Sequence, residues 1–305
     1  MDLNGICIFC LKNRKLTDEH VFPDSLGGQY HIYCVCKECN EYLGEKVDFP
    51  LVNNLLMQFA RLSYQLRGKN GQLPKIFDKG VLDNDTKINV ILQTDNKGKI
   101  VGTKMVPHKE LSEDGESVLF QVDLKDKKIL PIMVNKFLKR ANRPTMKAEE
   151  ILRHSLTQKE NSKIKLNKNV DLNIHQEFLK IAYEIAFEQL GAKYLNDPIG
   201  IKLRKWIMEN IPSKIHGRVN VVDKNNKRHN TLIQLFGKDN SIVSLLVQCG
   251  NDLLCYINFF NDLEGVVHVS ENLKIPHNLY LVNNVEQKYF RIEKMTDVIE
   301  KSMFN

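Results

Sequence analysis

The strongest hydrophobic periodicity in the chain lies at residues 174–192, IHQEFLKIAYEIAFEQLGA. There Phe178, Ile181, Ala182, Ile185 and Leu190 recur at helical spacing, with Gly191 as a stop. A second pattern, Leu51, Leu55, Leu56, Phe59, Leu62 and Leu66, predicts an amphipathic connector helix over 51–67, ended by Gly68–Gly71. Residues 199–211 predict another helix with Trp206 buried. Between these, residues 87–135 read as four strands, KINVILQT, KIVGTKMV, SVLFQVDL and KILPIMVN, separated by Asp/Asn/Gly turns such as Asp95–Gly98. The last third returns to strands: NTLIQLFG, SIVSLLVQ, LLCYINFF, GVVHVS and LYLVNN. At the N-terminus, Lys15–Pro23 predicts an extended segment with Leu16, Val21 and Phe22 turned inward. A loop follows through Gly28, then a second strand over Tyr30–Val35. A helix is predicted to start at Cys36–Asn40 and run to about Lys46, weakened by Gly44 and stopped by Pro50. The expected organisation is α+β: a cysteine-rich module at 1–50, a connector helix and β-rich segment at 51–135, and a mixed α+β region at 136–305.

No run of eighteen apolar residues occurs, so no membrane span is expected, and Met1–Gly5 lacks the look of a signal peptide. The expected location is the cytoplasm. The 305 residues carry a net charge of +7, unevenly spread. Residues 1–50 hold five Lys/Arg against eight Asp/Glu, whereas 136–168 hold ten Lys/Arg against three Glu. A positive excess of this kind suits a polyanionic partner, and equally a solvated helix face.

Five of the seven cysteines fall within residues 7–39. Cys7-x-x-Cys10 and Cys36-x-x-Cys39 have the paired spacing of a structural zinc site; in a cytosolic chain such spacing reads as metal ligation rather than disulfide. Cys34 is the spare and could replace Cys36. Cys249 and Cys255 read as buried small apolar residues. Between the two pairs lies Glu19-His20, and Asn40 directly follows the last cysteine. An imidazole can serve as general base near neutral pH. Carboxylate and amide oxygens suit a hard divalent cation, which can stabilise a phosphorane and a departing oxygen. On a regular strand Glu19 and His20 face opposite ways, so a bulge or bend is needed for both to serve one site.

The ordered set Cys7-x-x-Cys10, Leu16-Thr17-Asp18-Glu19-His20-Val21-Phe22-Pro23, Leu26-Gly27-Gly28, Cys36-x-x-Cys39-Asn40 and Leu43-Gly44 resembles the HNH endonucleases that carry a four-cysteine zinc site. The resemblance covers about the first fifty residues. It implies a treble-clef-like ββα-metal finger with structural Zn²⁺. It also implies His20 as general base, Glu19 and Asn40 as ligands of a catalytic Mg²⁺ or Mn²⁺, and DNA as substrate. The family often carries Asp where this chain has Glu19. The middle Asn of the family falls on His31, which could tie down the loop beneath the base or touch metal or phosphate itself. Asp48 is a possible further ligand. Two other functions are open to the same residues: a non-catalytic zinc-finger module that binds nucleic acid, and a nuclease effector subunit, for example in bacterial or phage defence, regulated by a protein partner or self-association.

Overall fold

In the computed structural model, residues 4–112, 117–157, 163–166, 174–211, 217–222, 236 and 238–303 are described, and the chain divides into two units, 1–74 with 169–305, and 75–168. The first unit opens with β1 (Asn4–Ile6), β2 (Asn13–His20) and β3 (His31–Cys36), a three-stranded antiparallel sheet in that order. The β2–β3 register pairs Thr17 with Val35, then Glu19 with Ile32 and His20 with His31, so the ladder is irregular at Asp18. Strand β3 runs straight into α1 (Lys37–Leu43), with Cys36 as its N-cap.

The helical path does not stop where the sequence predicts. It passes through a π turn at Gly44–Asp48 into α2 (Phe49–Val52). Gly44 adopts ordinary right-handed angles, and Pro50 falls in the first turn of α2, where a missing N–H is tolerated. The predicted connector over 51–67 is also divided. Asn54 precedes α3 (Leu55–Ser63) and accepts a hydrogen bond from Leu56 N at 3.0 Å, so it acts as a cap rather than an interior residue.

The second unit holds β4 (Lys79–Leu82), β5 (Asn89–Thr94), β6 (Ile100–Met105), β7 (His108–Leu111), β8 (Val118–Gln121), α4 (Leu130–Arg140), α5 (Ala148–Arg153) and β9 (Ile164–Lys165). One antiparallel sheet has the order β6-β5-β4-β9, and β7 pairs with β8. Strand β5 alternates as predicted, with Val90 and Leu92 buried. KILPIMVN, read from its Ile and Val content as a strand, is instead the start of α4. Pro131 occupies the helix's first turn, and Phe137 lies edge-on to Phe120 of β8 at 5.8 Å. Proline within a run argues against a strand, and tertiary packing outweighs β-branched propensity here.

The chain then returns to the first unit with α6 (His175–Leu190), α7 (Pro198–Met208), β10 (Gly217–Val221), β11 (Ser241–Cys249), β12 (Asp252–Phe259), β13 (Leu263–Ser270), β14 (Leu279–Asn284), β15 (Tyr289–Lys294) and α8 (Met295–Met303). The strands form one antiparallel sheet, β10-β13-β12-β11-β14-β15. Of NTLIQLFG, expected as a strand at 230–237, only Phe236 lies among the described residues. Trp206, expected to be buried, is half-buried on α7. Helix α6 is sealed along most of its length. Phe178 meets Phe259 of the sheet edge-on at 5.4 Å, whereas Tyr183 reaches the N-terminal strands, its ring 5.2 Å from Phe9 and its hydroxyl donating to Ile8 O at 2.8 Å. One hydrophobic core therefore runs from Ile8, Val21 and Leu43 through Ile181 and Ile185 to Ile257 and Val267.

Candidate metal centre and active face

The four predicted zinc ligands converge. The Sγ atoms of Cys7, Cys10, Cys36 and Cys39 all lie within 4.8 Å of one another, and Cys10 Sγ stands 3.8 Å from Cys36 Sγ. A tetrahedral site with Zn–S near 2.3 Å needs sulfurs about 3.8 Å apart, so the donor set fits Zn²⁺ in type and spacing. Cys34 stays outside the cluster, and burial pushes its thiol far above the usual range. Cys36 N–H points at Cys7 Sγ at 3.4 Å, and the Cys39 thiol together with such backbone donors holds Cys7 well below the usual thiol range. The first knuckle is closed by Leu11 N donating to Cys7 O at 2.9 Å. Leu11 there takes a left-handed φ of 57°, a conformation that costs a non-glycine residue about 1–2 kcal/mol.

The Leu26-Gly27-Gly28 loop is set by the C-terminal sheet. Gly27 has φ 79°, and a Cβ there would stand 3.0 Å from Val285. At Gly28 a Cβ would fall 1.9 Å from Phe22 O. Asn283 of β14 grips both sides of the loop, accepting from Gln29 N at 2.7 Å and donating to Gly27 O at 2.9 Å. The entry to β3, and with it His31, is thereby fixed.

His20 and His31 are cross-strand partners with ring centroids 4.2 Å apart. His31 Nδ1 lies 2.8 Å from Asp18 Oδ1. Asn40, one turn inside α1 and so not its N-cap, donates from Nδ2 to Asp18 O at 2.7 Å and to Thr17 Oγ1 at 3.3 Å. That amide staples the helix to the irregular point of the β2–β3 ladder. Its Oδ1 makes no hydrogen bond among the described residues. His20 is half-buried; burial first, and then the neighbouring His31, lower its pKa below the usual imidazole value, which favours the neutral ring that a base requires.

Glu19 points the other way. It is 3% exposed, and its Oε1 lies 2.9 Å from Lys180 Nζ of α6. The same ammonium donates to His20 O at 2.9 Å and to Asp48 Oδ1 at 2.9 Å, and stands 3.9 Å from Glu177 Oε1. Burial opposes the charge on Lys180, but Asp48, Glu177 and Glu19 outweigh it and its pKa lies well above the ordinary lysine value. Burial drives the Glu177 and Glu184 carboxyls upward. Asp48, weighed as a metal ligand from sequence, is thus engaged with Lys180. Lys180 itself was missed. In sequence Glu177, Lys180 and Glu184 look like the solvent stripe of an amphipathic helix, and only their packing under β2 shows otherwise. The carboxylate on the open side, beside His31, is Asp18, at 45% side-chain exposure. Among the described residues the thiol cluster is the only convergence of three or more His, Cys, Asp or Glu ligand atoms. A second cation would therefore take few protein ligands and complete its shell with water or substrate oxygens, as Mg²⁺ commonly does.

The four-thiol finger of three strands and a helix carries a histidine pair, His20 and His31, and Asn40 on its open face. Residues 7–56, a stretch of 50 in 305, match the family described as HNH endonuclease. No curated protein and no solved structure matches the chain significantly.

Proposed function

We propose that the protein is a metal-dependent endonuclease that hydrolyses DNA phosphodiester bonds at the His20 face. The observation that carries this reading is the joining of His20 and Asn40 to one four-thiol finger in the segment that matches HNH endonucleases. His20 takes the proton of the attacking water. The neighbouring His31, oriented by Asp18, faces the phosphate side. Asn40 and Glu19 are the proposed ligands of the divalent cation, which when bound supplies charge stabilisation at the phosphorus and at the departing 3′ oxygen. In this arrangement Lys180 fixes one Glu19 oxygen from beneath, as buried partners commonly orient metal-binding carboxylates. A second reading has Asp18 in place of Glu19 as the acidic ligand. The contrast in exposure, 45% for the Asp18 side chain against 3% for Glu19, favours it.

The test is conversion of supercoiled plasmid to nicked and linear forms by the full chain with Mg²⁺ or Mn²⁺. The expected results are cleavage by the wild type and loss of about 10²–10⁴ in rate in His20→Ala with zinc content unchanged. DNA binding without turnover under any divalent cation would instead identify a zinc-finger binding module. Full activity in His20→Ala would remove His20 from its role.

A further inference from the structure

The distribution of charge between the two units points to a function for the second one. Residues 75–168 contain twenty Lys/Arg and thirteen Asp/Glu, and the rest of the chain contains twenty-four of each. The whole net charge of +7 thus belongs to the unit that carries no part of the finger. Within it the charge is concentrated further. Residues 125–147 hold eight basic side chains, Lys125, Lys127, Lys128, Lys136, Lys139, Arg140, Arg143 and Lys147, and one acid, Asp126, which is bound by Lys104 at 2.7 Å. All eight basic residues are exposed, and none stands within ion-pair distance of a carboxylate among the described residues.

The arrangement is ordered. Lys136, Lys139 and Arg140 share one face of α4 with Ile132, at helical spacing. The opposite face is spent inside the unit, where Leu130 is buried and Phe137 packs on Phe120. Asn135 clamps the following loop to the helix, donating from Nδ2 to Met146 O at 2.8 Å and accepting from Met146 N at 2.8 Å. The clamp holds the start of α5 near α4 and leaves between them a groove of about 470 Å³ lined by Pro131, Ile132, Asn135, Lys136, Lys139 and Ala148. A row of ammonium and guanidinium groups beside a groove, on a clamped helix and with no carboxylate partner among the described residues, is a surface for a chain of phosphates. An anionic membrane fits less well, because Ile132 is the one large apolar side chain of α4 left exposed beside the lysines, the helix otherwise burying Leu130 and packing Phe137 on β8.

We infer that the basic face of α4 in the second unit is a docking face for the phosphate backbone of the DNA that the finger cuts. The choice of DNA rests on the nuclease reading above; the docking itself is tested without cleavage. The probe is a fluorescent duplex of random sequence, titrated by anisotropy with full-length His20→Ala protein over a range of salt and no added divalent cation. The triple variant Lys136→Glu/Lys139→Glu/Arg140→Glu, in the same background, is expected to bind about tenfold or more weakly, and its log K against log salt slope is expected to be shallower by about 2.7, the value for three lost phosphate contacts. A matched variant in the first unit, Lys193→Glu/Lys202→Glu/Lys274→Glu, should leave the slope unchanged. Neutralisation to Gln at the three α4 positions, with circular dichroism for fold, guards against a folding defect and should give a smaller loss of the same sign. Equal losses in both triple variants, or none in the α4 variant, overturn the inference. So does retention of DNA binding alongside lost sedimentation with phosphatidylserine vesicles, which would make the face a membrane site. Salt-dependent binding through α4 with no cleavage by the wild type would sustain the docking face while refuting the nuclease reading.

Discussion

At the residue scale, the chemistry depends on which side of β2 each side chain takes. The alternation of a strand sends His20 outward and Glu19 inward, and it places Asp18, two residues before His20, on the open side as a second carboxylate. The two readings of the cation site differ in a measurable way. If Glu19 is the ligand, Glu19→Gln raises the half-saturating Mg²⁺ concentration about tenfold or more, and Asp18→Asn acts mainly through His31. If Asp18 is the ligand, the order reverses and Glu19→Gln shows chiefly as a fall in melting temperature. Acid pH gives a further check. Because burial and then His31 lower the His20 pKa below its usual 6.5, the ring stays neutral at pH 7. Cleavage is expected to fall on the acid side along a limb centred below pH 6.5, as the base protonates. An acid limb centred above pH 7 would contradict that environment.

At the element scale, α6 is the piece that the sequence described least fully. Its length and apolar periodicity were legible, and the observed His175–Leu190 agrees with the pattern. Its polar stripe was not, because Glu177, Lys180 and Glu184 have the spacing of a solvated face and nothing local reveals that β2 and the π turn cover them. Likewise the finger's strands and thiol pairs were readable from Cys-x-x-Cys spacing and alternation, since both are local. The continuation of the helix through Pro50 and the conversion of KILPIMVN to α4 were not, because each is decided by what packs alongside. Lys180 is the hub of that hidden stripe. It is wholly buried and joins Glu19, Asp48 and the His20 carbonyl. Lys180→Met leaves buried carboxylates without their counter-charge and should destabilise the protein by about 3–5 kcal/mol, read by urea denaturation. A change below 1 kcal/mol would mean that the ion pairs contribute little.

At the scale of the whole molecule, the finger is part of a larger core. Tyr183 on Ile8 O, Tyr42 Oη on Ile207 O at 3.2 Å and Asn283 on the Gly27–Gln29 loop tie it to α6, α7 and β14. Zinc removal should therefore do more than unfold fifty residues. With the thiol cluster emptied by a strong chelator, the near-ultraviolet signal of Tyr183 and Phe178 should change together with loss of the finger, and readdition of Zn²⁺ should restore both. A chelated protein whose α6 environment is unchanged would show that the finger is an independent module. Among the described residues no helix is long and apolar enough to cross a membrane.

In the proposed reaction, water deprotonated by His20 attacks phosphorus and expels the 3′ oxygen. The most direct measurement is single-turnover cleavage of an end-labelled duplex in H₂¹⁸O with Mg²⁺, followed by mass spectrometry of the ends. The expected products are a 5′-phosphate carrying one ¹⁸O and a 3′-hydroxyl, formed by the wild type and about 10²–10⁴ more slowly by His20→Ala. Products carrying a 3′-phosphate, or undiminished cleavage by the variant, would contradict it.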